Sequence, residues 1–377
     1  MKVAHLFWSL SYGGIETMLV NIANMQARLG TSVSVIIIND LVDPDLEKAL
    51  LPIVRFVRLN RRLGTKSLSF MCQLNRELDN INPDVVHLHN SVLLNYLCEH
   101  RRRMSCCVVT LHEMPFGKVG MKWRWGNMVE NLLLHQKGIV RRMNVIRHRY
   151  AISEAVADAL KDEYGLDSIV ISNGIKTGIF VKRDMHLFEN KMKVVQVGRL
   201  AHDVKGQDLL IEAVGILKRE FKLDILVTFI GEGPSIKYLE ELSRNQNLSS
   251  SITFLGKQDQ KYIANHLCDY DLFVQPSRYE GFGLTVAEAM SANVPVLVSS
   301  GQGPSEVTKG ECYGWTFKNG DSMDLASKIF YISQHYTQAL DKSIEAHQHV
   351  VHNYDVSITA RSYLNEYERI IKRQNVK

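Results

Sequence analysis

The residues with the most evident chemical potential lie in the stretch SRYEGFGLTVAEAM, Ser277 to Met290, where Glu280 and Glu288 stand eight positions apart beside two glycines. Two carboxylates so spaced first suggest an acid and a base. Their setting suggests a different use, because the apolar run DLFVQPS ends at Ser277, YEGFG turns the chain, and LTVAEAMS has helical character. Free amides around Gly281 to Leu284 then leave a helix start and favour an anion. The carboxylates suit vicinal hydroxyls, since hydrogen bonds to charged acceptors are about twice as strong as neutral ones. A sugar, a phosphate and a ribose would together satisfy the loop. A second stretch, VGRLAHDVKGQ, offers Arg199 and Lys205 six residues apart around a turn into a helix, a suitable site for a diphosphate. A third, SLSYGGIE, places Gly13 and Gly14 where a strand gives way to a helix, so the backbone can approach a bound group. It lacks the third glycine of a dinucleotide fingerprint, and a plain strand-to-helix turn is the competing reading.

Each of these loops follows a short apolar run. Such runs alternate with segments of helical period along the chain, which predicts parallel sheets with helices on both faces. The first series runs from VAHLF through a helix over about Ile15–Leu29, SVSVIII, DVVHLH, CCVVTLH, RYAIS, the helix EAVADALKDEY, and IVISNGI. Residues 176–191 are polar and aperiodic, and read as a linker. The second series begins at KVVQVGRL and runs through DILVTFIG, SITFLG, DLFVQPS, VPVLVS and CYGWTF, with helices between most of them. A tail from about Met323 to Arg373 reads as helical throughout. Open parallel sheets bind ligands beyond the carboxyl ends of their strands, so two facing sheets would create a cleft.

The chain's 377 residues suit two domains. With 45% hydrophobic and 23% charged residues it has the composition of a globular protein, and no run approaches the roughly 18 apolar residues of a membrane span. The amino-terminal apolar segment is too short for a signal peptide and reads as a first strand. Six cysteines without metal or CxxC spacing point to a reducing, cytosolic compartment. Residues 1–175 hold 21 Lys and Arg against 16 Asp and Glu, so the whole net charge of +5 sits in the first half. It clusters in RFVRLNRRLGTK, at Arg101 to Arg103, and around Lys122, Trp123, Arg124 and Trp125. That pattern fits an anionic lipid surface or a phosphorylated acceptor as well as it fits a solvated helix face.

The motifs GG, HE, SNGI, VGRL with KG, GEGP, FLG, PSRYEGFGLTVAEAM and PVLVSS occur in the order found in the retaining glycosyltransferases of family 4, which the chain resembles over nearly its whole length. The resemblance implies an α/β GT-B fold: a Rossmann-like acceptor domain over 1–175, a Rossmann-like donor domain over 176–354, and a last helix over 355–377 that packs back on the first domain. It implies that Glu280 faces the donor sugar, Glu288 the nucleotide ribose, and Arg199 and Lys205 the diphosphate, helped by the amides of Phe282, Gly283 and Leu284 and approached by Gly14. His112 would lie close to the transferred sugar, and the backbone near Gly231, Gly233 and Lys257 beside the base.

The activity so implied is a metal-independent, hexosyltransferase-like transfer from a nucleoside diphosphate sugar to a glycan or lipid-linked acceptor in surface polysaccharide synthesis. The expected protein is cytoplasmic with peripheral contact to the inner face of the membrane, needs no cofactor and has no nucleic-acid partner. The sequence DYD at 269–271 formally matches the metal signature of another glycosyltransferase fold but precedes a buried strand. DPD at 43–45 reads as a turn. His87 and His89 face one side of a strand, in the core or at the cleft rim, and Glu113 is a candidate acceptor contact. The rival functions are a non-catalytic nucleotide- or carbohydrate-binding protein of the same fold, a nucleotide-sugar epimerase, and a dinucleotide-dependent oxidoreductase, the last of which lacks its glycine fingerprint.

Overall fold

A computed structural model describes residues 1–11, 13–65, 68–98, 106–112, 138, 140–141, 143–188 and 191–375. The chain divides into two compact units, Met1–Gly174 with Val356–Lys377, and Ile175–Asp355. Arg101 to Arg103, Glu113 and the Lys122 to Trp125 cluster lie outside the described residues.

Unit 1 contains β1 (Lys2–Phe7), α1 (Gly14–Arg28), β2 (Ser32–Asn39), α2 (Pro44–Lys48), β3 (Arg55–Arg61), α3 (Phe70–Ile81), β4 (Val85–Leu88), β5 (Cys107–Leu111), β6 (His148–Ala151), α4 (Glu154–Tyr164) and β7 (Ile169–Val170). Unit 2 contains β8 (Lys193–Val197), α5 (His202–Lys205), α6 (Gln207–Ile216), β9 (Leu226–Ile230), α7 (Ile236–Asn245), β10 (Ile252–Gly256), α8 (Gln260–His266), β11 (Leu272–Gln275), α9 (Leu284–Ser291), β12 (Val296–Ser299), α10 (Gly303–Val307), β13 (Trp315–Phe317), α11 (Ser322–Gln334) and α12 (Tyr336–Asn353). The final helix, α13 (Val356–Asn375), belongs to unit 1.

Both sheets are parallel, in the orders β3-β2-β1-β4-β5-β6-β7 and β10-β9-β8-β11-β12-β13. Strands covered by helices on both faces must be apolar throughout, which is why β1 is buried from Val3 to Phe7 and β12 along its whole length. In each sheet the order reverses beside the first strand, between β1 and β4 and between β8 and β11. The crevice at such a reversal is where doubly wound sheets take ligands.

The tail departs from a continuous helix. It breaks at His335 and again at Tyr354–Asp355, giving α11, α12 and α13. The second break is made by distant residues: Ile175 N donates to Tyr354 O at 2.9 Å, and Thr177 Oγ1 donates to Asp355 Oδ2 at 2.7 Å. Beyond it, Val356, Tyr363, Tyr367 and Ile370 of α13 join Met18 and Ile22 of α1 in one core cluster of unit 1.

Candidate functional site

In unit 2 the reversal lies between β8 and β11, and the two loops leaving those strands interlock. Gly206 ends α5 with φ +66°, and a Cβ there would lie 1.9 Å from Pro276 O, so glycine alone permits the contact. Arg278 N donates to Val204 O at 2.9 Å across the same junction. This approach delivers Lys205 to Glu280, with Nζ 2.5 Å from Oε2, and both side chains are mostly buried. Glu280 is fixed at both ends. Its Oε2 accepts from Gln275 Nε2 at 3.3 Å, and its backbone N–H donates to Gln302 Oε1 at 3.0 Å. The expectation that Lys205 and Glu280 address different parts of a ligand meets an ion pair between them.

Three residues on, the chain enters α9. Gly283 has φ +93° and stands against Pro304, whose Cγ would lie 2.9 Å from a Cβ. Among the described residues the amides of Phe282, Gly283 and Leu284 have no acceptor, as befits the first N–H groups of a helix. Arg199 is exposed, and its guanidinium makes no hydrogen bond or ion pair among the described residues. One turn into α9, Glu288 is half-buried and accepts from Gln260 Nε2 at 3.1 Å. Burial pushes its carboxyl up to about 7, against the smaller opposing effect of that hydrogen bond.

Gly231 and Gly233 serve this loop through packing. A Cβ on Gly231 would lie 2.0 Å from Gly198 O, and one on Gly233 2.3 Å from Leu200 O, so the β9 loop lies directly against the backbone carrying Arg199. Lys257 is exposed just beyond β10. Arg278 went unread in the sequence although it stands two residues before Glu280. It holds Asp208 through two bonds of 2.7 and 2.8 Å and donates to His202 O at 2.7 Å, tying α5 and α6 to the β11 loop. Asp271 of the DYD stretch is buried against Arg183 at 2.5 Å and accepts from Lys193 N at 2.7 Å, while Asp269 pairs with His266 at 2.8 Å.

In unit 1, Gly14 opens α1 and is exposed, but the Glu16 carboxylate already lies at this helix start, where a Cβ on Gly13 would meet its Oε2 at 2.5 Å. Four imidazoles gather near the carboxyl ends of the central strands. His5 pairs in register with His87 across β1 and β4, His89 follows β4, and His112 follows β5. Nitrogens of His5, His87 and His89 come within 4.8 Å of one another, which is metal-ligand spacing. Every one of those six nitrogens already has a hydrogen-bond partner: Gln26, Thr110, Tyr367, His112, or one another. Desolvation drives His5 down to about 4 and His112 to about 3, and with mutual repulsion holds His87 and His89 well below the ordinary range, so all four are neutral at pH 7.

The family described as Glycosyl transferases group 1 matches residues 180–348, and that described as Glycosyltransferase Family 4 matches residues 12–178. The chain belongs to glycosyltransferase family 4. Among relatives, protein CapJ of Staphylococcus aureus is 32% identical over 141 residues, 37% of this chain and 35% of CapJ, so that match spans about a third of CapJ's length. The putative glycosyltransferase EpsF of Bacillus subtilis is 23% identical over 79% of both chains. The structure of HepE from Anabaena in complex with UDP and glucose superposes with a TM-score of 0.79 at 19% identity, over 98% of this glycosyltransferase and 99% of HepE. The fold is GT-B, two parallel-sheet Rossmann-like domains. No helix among the described residues is long and apolar enough to cross a membrane.

Proposed function

We propose that this glycosyltransferase moves a sugar, with retention at the anomeric carbon, from a nucleoside diphosphate sugar to a hydroxyl of a glycan or lipid-linked glycan in surface polysaccharide synthesis. The observation that carries the reading is the set of unpaired amides at Phe282 to Leu284, beside the Lys205–Glu280 pair at the β8/β11 reversal. Those amides and the helix dipole suit the diphosphate, with Arg199 and Lys205 supplying the opposing charge. Glu280 orients Lys205 and offers its remaining lone pairs to sugar hydroxyls, Glu288 accepts from the ribose, and the backbone near Gly231, Gly233 and Lys257 flanks the base. That UDP and glucose are the ligands of HepE supports a donor of this class.

In the step itself the bond from the anomeric carbon to the diphosphate oxygen breaks while the acceptor oxygen bonds to that carbon from the same face. The acceptor proton passes to the departing phosphate oxygen, so no protein base takes part. Charge on the leaving diphosphate is met by Arg199, Lys205 and the α9 amides. No metal or cofactor is invoked.

A panel of nucleoside diphosphate sugars tests the reading. The true donor, at about 100 times its Kd, stabilises the fold by about 2.7 kcal/mol and raises the melting temperature. Arg199→Ala lowers turnover with that donor roughly a hundredfold while leaving the unliganded melting temperature unchanged. Unaltered turnover would remove Arg199 from the diphosphate.

A further inference from the structure

The basic run along β3 is paired at one end and open at the other. Arg55 meets Glu77 at 2.9 Å, and Arg58 meets Glu47. Arg61 and Arg62 instead border a cleft of about 350 Å³, within the size range of small-ligand sites. Its polar lining is Asn60, Arg61, Arg62, Thr65, Ser69 and Gln73, and no carboxylate stands among the described residues that line it. Asp40 lies outside the lining, its carboxylate accepting from Leu63 N at 3.0 Å. The cleft therefore carries positive charge.

It lies where β3, β2 and β1 end, the side of a parallel sheet that takes ligands. Asn39 N donates to Trp8 O at 2.7 Å and Asp40 N to Arg61 O at 2.9 Å, which laces the three strand ends together. Between the register pairs Ile37–Arg58 and Asn39–Arg61, β3 advances three residues while β2 advances two. Asn60 absorbs the extra residue with φ +50°, a left-handed backbone uncommon for a residue with a side chain. Such a bulge re-aims the side chains that follow it. Arg61 is then fixed in place: Nη1 donates to Asn39 Oδ1 at 2.9 Å, Nη2 donates to Thr65 O, and the guanidinium lies 5.4 Å from the centre of the Phe70 ring and 5.9 Å from that of Trp8. Those two oxygens are neutral, so they orient the charge without cancelling it. Arg62 is exposed, and its guanidinium makes no hydrogen bond or ion pair among the described residues.

We propose that this cleft is a subsite for an oxyanion, a phosphoryl or carboxylate group, on the glycan that accepts the sugar, with Arg61 held ready and Arg62 closing on the bound group. Planar guanidinium forks match both kinds of oxyanion. Every lining residue belongs to unit 1, so the subsite is complete there. The acceptor role rests on the glycosyl-transfer reading above; the oxyanion site does not. A concave cleft with an arginine fixed in its lining suits one charged group better than it suits the flat face of a bilayer. Leu63 and Leu68, 54% and 56% exposed, stand on the same loop, so a lipid headgroup is the occupant that the test must exclude.

Hydrogen exchange of the full chain, read over residues 59–73, tests the site apart from any anion bound in unit 2. Glycerol 3-phosphate or glucuronate should slow exchange there, whereas glycerol and glucose should not. Arg62→Gln should raise the anion concentration needed for protection about tenfold, the loss of one charge-assisted contact, and Arg62→Lys should keep part of the effect. Because the Arg62 side chain is exposed, both variants should melt with the wild type. No protection by either anion, or equal protection in wild type and Arg62→Gln, would overturn the site. Protection by phosphatidylglycerol vesicles but by neither soluble anion would also overturn it, and would assign the arginines to a lipid surface. The acceptor role is read separately, from matched glycans with and without a uronate or phosphate. The anionic member should be glycosylated with about tenfold higher kcat/KM, and Arg62→Gln should erase that preference through the acceptor KM. Equal transfer to both members would refute the acceptor role and leave the oxyanion site in place. A chain that binds the anions yet transfers no sugar would refute the glycosyl-transfer reading instead.

Discussion

Glu280 and Glu288 have the same side chain in opposite circumstances. Glu280 has an ammonium at 2.5 Å, whereas Glu288 has, among the described residues, the neutral Gln260 amide alone and is lifted by burial to about 7 from an ordinary 4.5. A raised carboxyl favours the unfolded chain once that chain ionises. Stability therefore falls as pH rises from about 4.5, and the loss is complete above about 7. Glu288→Gln removes the titration and keeps a hydrogen-bonding group toward Gln260. The variant's melting temperature, relative to wild type, should rise between pH ~5 and ~7 and level off above; a difference that stays constant from pH ~5 upward would show that Glu288 is not held protonated. Arg278 shows what the sequence withheld at this scale. Its partner Asp208 is 70 positions away, and nothing local marks the pair.

At the scale of elements, the site is a set of strand-to-helix turns pressed together backbone to backbone. Gly206→Ala should cost roughly 2–5 kcal/mol, combining a left-handed backbone for a residue with a Cβ and a clash with the Pro276 carbonyl. Gly30→Ala is the control. That residue also has positive φ, +87°, but nothing lies within 4 Å of its Cβ position, so only the backbone cost of about 1–2 kcal/mol remains. Equal losses in the two variants, measured by denaturant unfolding, would dismiss the close approach. The apolar runs and helical periods made most elements legible, because burial on both faces of a parallel strand leaves a local mark. The break between α12 and α13 left none. Neither glycine nor proline stands at Tyr354 and Asp355, and the hydrogen bonds that stop the helix come from Ile175 and Thr177.

For the whole molecule, the chain completes unit 1 only after unit 2 has been made. Tyr363, Tyr367 and Ile370 of α13 are almost fully buried there, and burying each is worth roughly 1.5–3 kcal/mol, together comparable with the 5–15 kcal/mol that hold a domain folded. A chain ending at Asp355 should lose the calorimetric transition of unit 1 and retain that of unit 2; two intact transitions would contradict the role given to α13. The excess positive charge of residues 1–175 bears on a different question. If it meets a membrane, the protein should sediment with anionic vesicles at low salt and be released at high salt, where the screening length falls to about 3 Å at 1 M. Absence of binding at low salt would refute the contact.

The sequence by itself determined the α/β class, the paired series of strands, the family, and the loops where ligand chemistry concentrates, because hydrophobic period and glycine turns act over a few residues. Tertiary structure alone decided which of those side chains meet. Lys205 finds Glu280 because β8 and β11 are neighbours in the sheet although 75 residues separate the two charges. His5 reaches His112 through His89 for the same reason, since β1, β4 and β5 lie side by side. Strand order converts distant positions into adjacent ones, and no local pattern encodes it.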